Sequence, residues 1–349
     1  MNSSYTSPTK CEADLLLGGR LQNPSPVGVA TLIFIITIEV LTFPFTAILN
    51  ALVMIAVKLK SRLRAHKSNI LLAFLASTDF SVGVIVQPSF IALLVMLLLD
   101  EPSGYCLLGV LRLAVGSLID ASLFHVALIS GERYLAMKHP FAYSTIVTEV
   151  RLLLASAVVW LLSVTLQILL FVDKTVLVRL NNAFVGLSLA FIIFCHVAVY
   201  YESRRHEQQL AAQQVSQEAR EHVQKNKKVF KLTSVILVAV VVCYIPMVIF
   251  TIVVSKYGSE MSLEKLYIFF ASITSIVLLN SFINPIIYSI RLRQFRVALI
   301  ELICRSVNIA EAEGIEMRVF GTPKAVVRRE EALAHEGTDD QNVEQADVA

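Results

Sequence analysis

The chain has 349 residues, 56% of them hydrophobic and 16% charged, with a mean hydropathy of +0.69 and a formal net charge of +3. Soluble domains carry about a quarter charged residues, so the composition excludes a soluble globular enzyme and points to a membrane protein. The small positive excess lies in the connections between apolar runs and gives no ground for a nucleic-acid partner.

Residues 1–28 are polar, lack the apolar core of a cleavable signal peptide and read as a short tail. Within it, Asn2-Ser3-Ser4 is a sequon that makes Asn2 a candidate glycosylation site. Seven apolar runs follow, at about 29–57, 69–99, 106–134, 151–172, 180–201, 229–254 and 266–290. A spanning helix needs roughly 20 apolar residues, and lipid offers no partners to backbone groups, so each run is expected to be a helix. The fold class is an all-α membrane protein, a bundle of seven transmembrane helices over 29–290.

The first run carries Glu39, Pro44 and Asn50, and Pro44 is expected to kink it. The second, NILLAFLASTDFSVGVIVQP, sinks Asp79 to mid-membrane and ends near Gln87. A carboxylate at that depth is costly unless it faces the bundle interior and finds partners. The third holds Arg112, Asp120, Ser122 and His125 and closes on Gly131-Glu132-Arg133-Tyr134, ahead of Pro140 and Phe141. Here Glu132 is the first candidate partner for Arg133. The fourth contains the lone Trp160, and the fifth has no proline and ends at Tyr200 and Tyr201. The connection at 202–228 includes HEQQL, which lacks the second histidine of a zinc-protease helix. The sixth run reads CYIP at Cys243–Pro246, where Pro246 must bend the helix. The seventh ends NSFINPIIY, with Asn280, Ser281, Asn284, Pro285 and Tyr288.

Residues 291–304 open with RLRQF and read as an eighth, amphipathic helix on the membrane surface. Over 305–349 acids outnumber bases and apolar periodicity is lost, which reads as a disordered tail. Lys and Arg gather in the first, third and fifth connections and the C-terminal tail. That bias places the C-terminus in the cytoplasm and the N-terminus outside.

Five cysteines make no framework. Cys195 and Cys243 fall mid-span. Cys11 and Cys106 both fall on the expected outer side, where a disulfide can persist, and form a candidate pair. Cys304 is a candidate palmitoylation site, an ordinary buried cysteine being the alternative.

TAILN, LAxxD around Asp79, GERY, Trp160, CYIP and NPIIY occur in this order, one per span. Together they resemble the rhodopsin-like (class A) G-protein-coupled receptors over roughly residues 29–304. That resemblance implies a plasma-membrane receptor, not an enzyme, which passes ligand binding to a heterotrimeric G protein. Glu132, Arg133 and Tyr134 would be the switch, Pro140 and Phe141 its contact loop, and Tyr244, Pro246, Asn284, Pro285 and Tyr288 the moving parts. Tyr244 stands where most relatives have tryptophan. Asp79, Ser122, Asn280, Ser281 and Asn284 would form the family's sodium pocket; a hydrogen-bonded polar core without an ion is the alternative. Relatives often restrain the arginine with an acid at the base of helix six. Asn226 stands there, so ligand-free signalling is expected. Ser306, Thr322 and Thr338 are few hydroxyls for arrestin docking on the tail.

An opsin's span-seven lysine is replaced by Leu278 and an amine receptor's aspartate by Val115, so neither retinal nor an amine is expected. The absence of a second-loop cysteine and of a span-five proline resembles the melanocortin, lysolipid, cannabinoid and adenosine branch, and Glu39 matches an acid of adenosine receptors. A small molecule, lipid or peptide is the expected ligand. Glu39, Gln87, Arg112 and Asp120 are candidate contacts; the competing reading is interhelical hydrogen bonding, or a headgroup contact for Arg112. Asp120 with His125, a little over one turn away, leaves a proton-sensing role open. The alternative from another class is a polytopic transporter or channel, although no internal repeat is visible.

Overall fold

The computed structural model describes residues 21, 23–99, 102–169, 174–212, 238–254, 256–304 and 309–320. Those residues form helices and connecting turns, with no strand among them. In chain order the helices are α1 (Pro26–Leu59), the single turn α2 (Ser61–Arg64), α3 (Lys67–Leu98), α4 (Pro102–Lys138) and the short loop helix α5 (Pro140–Ile146). They are followed by α6 (Glu149–Leu169), α7 (Lys174–Ala212), α8 (Val238–Val254), α9 (Leu263–Arg291), α10 (Arg293–Ile303) and α11 (Ile309–Phe320). Six of them are long and apolar enough to cross a membrane, and α8 is the described part of the sixth expected span.

α1 begins where its chemistry dictates. Ser25, in extended backbone, caps the helix by accepting from the Gly28 N–H at 3.1 Å, and Pro26 fills the first position, where a missing N–H costs nothing. Thr31 and Thr37 return their hydroxyls to the carbonyls one turn back, at 2.8 Å each, so they can face lipid without an unpaired donor. The helix runs on through Pro44. Phe34, Leu41 and Phe45 point outward and Leu32, Ile35, Glu39 and Asn50 inward. In an aqueous fold that apolar exterior would be a defect; in lipid it is the solvated face.

α3 is interrupted by a π-helical turn at Val82–Val86, just ahead of Gln87-Pro88. The Gln87 N–H reaches back to the Val82 carbonyl, so the wider turn absorbs the irregularity the proline imposes. Gly83 in that turn meets the backbone of α1, where a Cβ would lie 2.8 Å from the Ala47 nitrogen. α1 packs on α3 and α9, and α4 packs on α3, α6 and α7.

Pro285 removes the N–H that would bond the Ser281 carbonyl one turn back. Asn50 of α1 supplies the missing donor, its Nδ2 lying 3.0 Å from the Ser281 oxygen and 2.9 Å from that of Thr46. A sequence-imposed break in α9 is thus mended by α1, and the mend ties the two helices together.

The described residues from 292 onward form a unit of their own, in which α10 and α11 pack on each other. α11 lies where the sequence reading expects disorder. Its stretch combines good helix formers with Glu311 in the first turn, where the helix dipole favours an acid, and it buries Ala312. The rest of the expected tail, with Ser306, Thr322 and Thr338, lies outside the described residues, as do Asn2, Cys11 and Asn226.

Candidate functional site

Besides Glu132, which pairs with Arg133, three carboxylates are buried in the bundle, and among the described residues no cation pairs with any of these three. Each is held instead by neutral donors from other helices.

Asp79 of α3 is wholly inaccessible. Ser122 of α4 donates to its Oδ1 at 3.0 Å, Ser281 of α9 to the same oxygen at 2.7 Å, and Asn284 Nδ2 to Oδ2 at 2.8 Å. A hydrogen bond to a charged acceptor contributes roughly 1.5–3 kcal/mol, and three of them offset much of the cost of burying the group. Asn280 is buried nearby but makes no hydrogen bond to Asp79. On α1 and α9, Asn50 Oδ1, Asn280 Oδ1 and Asn284 Oδ1 are buried acceptors without a donor among the described residues. Oxygen acceptors of this kind are the ligand type that hard cations take. Tyr288 is buried in α9, and Tyr244 of α8 donates to the Ile119 carbonyl of α4 at 3.0 Å. Pro246 and Pro285 lie inside α8 and α9.

Towards the end where α1 begins, Glu39 is wholly inaccessible. Gln87 Nε2 donates to its Oε2 at 2.9 Å and Ser275 of α9 to its Oε1 at 2.6 Å. Gln87 also approaches Thr42 at 3.3 Å, while its own Oε1 has no donor. The third carboxylate, Asp120, accepts from Gln167 Nε2 of α6 at 2.6 Å, and Gln167 lies 3.5 Å from Asn181 of α7. Gly116, one turn earlier on α4, makes that reach possible, because a Cβ there would stand 2.4 Å from the Gln167 side chain. His125 does not join Asp120. Its ring nitrogens lie 2.7 Å from the Ala121 carbonyl and 2.8 Å from the Ser156 hydroxyl, and Trp160 meets it edge-on. The two groups therefore form no proton-sharing pair.

At the far end of α4, Arg133 clasps Glu132 through Nε at 2.6 Å and one terminal nitrogen at 2.8 Å. Glu132 also accepts from the Tyr143 hydroxyl of α5. Burial first, then the charge of Glu132, raises the Tyr143 phenol above its ordinary value, so it stays a donor at neutral pH. α5 is held at its C-terminus by cations, as the helix dipole favours. Lys67 reaches the carbonyls of Ser144 and Val147, and Arg151 those of Thr145 and Ile146. At its other end Pro140 starts the helix and Phe141 stands 97% exposed. Tyr134 packs against Phe194 of α7.

The sequence reading missed Ser275, Gln167, Gly116 and Tyr143. Polar residues inside spans four and seven of the reading were noticed only where a family motif marked them, and Tyr143 lies in a connection with no spacing signal. Arg112 and Cys106 lie on α4, but their side chains are outside the described set. Cys304, just past α10, is exposed.

The profile of the 7 transmembrane receptor (rhodopsin family) matches residues 49–183 and 173–288. Among similar proteins, Cannabinoid receptor type 1B of Takifugu rubripes is 25% identical over 297 residues, covering 75% of this chain and 61% of its own length. Human Cannabinoid receptor 2 is 23% identical, covering 79% of this chain and 78% of its own length. Canine Adenosine receptor A2a is 26% identical, covering 75% and 70%. The chain thus spans 61% of the length of the first two cannabinoid relatives. These matches leave the transporter or channel reading without support. By the extent of the profile match and the order of its helices, the chain belongs to the rhodopsin family of seven-transmembrane receptors.

Proposed function

We propose that the protein is a plasma-membrane receptor which converts ligand binding at the N-terminal end of the bundle, facing outside, into activation of a heterotrimeric G protein at the other. The observation that carries this is the state of Arg133. It is paired with its neighbour Glu132, and Tyr143 of the loop helix braces the pair while leaving Phe141 exposed beside it. A guanidinium held by one acid is poised to change partners. Activation is then a shift between two packings of the bundle, with α8 bending at Pro246, Tyr244 leaving the Ile119 carbonyl and Arg133 leaving Glu132.

Glu39 with Gln87, and Asp120 with Gln167, are the ligand contacts in this reading, since each is a buried acid on helices that converge towards the same end. The relatives named for cannabinoids and adenosine support a ligand from their branch, a lipid or nucleoside-like small molecule.

A sodium ion at Asp79 belongs to the same proposal. Asp79, Ser122, Ser281 and the surplus oxygens of Asn280 and Asn284 would hold it, and its charge would favour the resting packing. Palmitoylation of the exposed Cys304 and arrestin docking are further expectations of the family.

The test is ligand-free and ligand-stimulated nucleotide exchange on a panel of G proteins, comparing wild type with Arg133→Ala at equal surface expression. Loss of exchange in the variant is expected. Exchange that is unchanged, or absent from both across the whole panel and a lipid and nucleoside ligand screen, would overturn the reading.

A further inference from the structure

The stretch just before α1 turns once and is built into the bundle at two points. Asn23 stands at φ 44°, in the left-handed region that asparagine tolerates, and the chain turns there. Beyond the turn, Leu21 is 2% exposed in a cluster with Leu32 and Ile35 of α1, Phe90 and Leu94 of α3, and Tyr267 of α9. After the turn, Ser25 donates to Glu264 Oε1 twice, from its backbone N–H at 2.9 Å and its hydroxyl at 2.5 Å. Gly28 leaves room for that carboxylate, because a Cβ there would lie 2.3 Å from the same oxygen.

The place of the cluster gives these contacts a meaning. Leu32 and Ile35 lie on α1 towards its start from Glu39. Phe90 and Leu94 lie on α3 beyond Gln87, and Tyr267 precedes Ser275 on α9. On all three helices these members therefore lie between the Glu39–Gln87–Ser275 centre and the N-terminal end of the bundle, while Val82, Val86 and Leu278 carry the same cluster on past the centre. Leu21 is the member of that cluster that comes from no helix.

We propose that the stretch carrying Leu21, Asn23 and Ser25 is a strap that shuts the approach to the Glu39 centre, with Glu264 as its latch. A ligand with an apolar body and a hydrogen-bond donor takes the place of Leu21 and reaches the free Gln87 oxygen. The identity of what enters rests on the reading of that centre as a ligand contact; the strap itself does not.

The experiment uses the full chain in detergent, with Ala271→Cys as a reporter inside the cluster and a water-soluble thiol reagent as probe. The parent without this cysteine supplies the background. With the strap intact the reporter reacts slowly. Glu264→Ala and Gly28→Ala each raise its rate by on the order of tenfold to a hundredfold, the ratio carried by hydrogen bonds to a carboxylate, and Leu21→Ser, which takes an apolar side chain out of the cluster, raises it as well. Ser25→Ala, which removes the hydroxyl donor and the cap on Gly28 but keeps the backbone donor to Glu264, gives a smaller rise and serves where a stronger variant fails to fold. A reporter that reacts as fast with the strap intact as with it cut, or as slowly after cutting as before, overturns the proposal. The rate needs neither ligand nor G protein, so its failure is separate from failure of the receptor reading.

Discussion

Replacing Gly116 by alanine tests the Asp120 centre through its geometry. In an exposed helix interior, glycine to alanine stabilises by up to about 1 kcal/mol, since alanine has less backbone freedom to lose. Here the added methyl stands 2.4 Å from the Cδ and Oε1 of Gln167, more than 1 Å inside ordinary contact (about 3.5 Å). Gln167 must withdraw, and Asp120 loses the donor at 2.6 Å. A buried acceptor stripped of a charge-assisted bond costs about 1.5–3 kcal/mol, so the net effect is destabilisation of about 1–2 kcal/mol. The assay is thermal unfolding of the purified protein for Gly116→Ala, Gln167→Ala and the double variant. Once Gln167 is gone, the methyl meets open space and Gly116→Ala reverses sign, becoming neutral or stabilising. Additive effects, with alanine equally harmful in both backgrounds, would refute the reasoning.

Three further outcomes are expected. Tyr143→Phe removes one hydrogen bond from Glu132 and leaves Arg133 freer, raising ligand-free nucleotide exchange roughly fivefold to tenfold, as about 1 kcal/mol or slightly more implies; exchange at the wild-type level would refute it. Asn50→Ala strands the Ser281 carbonyl and lowers stability by about 1–3 kcal/mol. Adding Pro285→Ala restores a backbone donor and recovers part of the loss in thermal unfolding. Asp79→Asn abolishes the dependence of thermal stability on sodium measured against choline; a dependence that survives the substitution removes sodium from that centre.

The seven spans were legible because lipid imposes one rule on every crossing segment, and a run of some twenty apolar residues states it openly. Asp79 was legible for a related reason, since a carboxylate at that depth has to face inward, and its helix position puts Ser122 at the same height. Its third donor set was only partly legible. Asn280, Ser281 and Asn284 are equally polar in sequence, and rotation about α9 decides that two of them reach Asp79 while Asn280 does not. Gln167 and Asp120 meet across two helices whose relative rotation is fixed by packing, and the small residue that permits the meeting looks like any other glycine. His125 turned to Ser156 because both lie on the α4–α6 contact; one turn of separation from Asp120 carried no such information. α11 was missed because acidic composition is a weak guide when a short stretch can still bury one face.

The π-helical turn of α3 also bears on how the length of this segment is read. In an uninterrupted α-helix each residue advances the rotation by about 100°, so Gln87, eight positions past Asp79, would stand about 80° out of phase with it. The wide turn swallows one position, leaving an offset of about 20°, and both side chains look into the same interior. A homologous chain one residue shorter between 82 and 86 would close into plain α-helix and keep the same phase. Aligned without a gap there, its polar residues beyond the turn would be assigned to the wrong face.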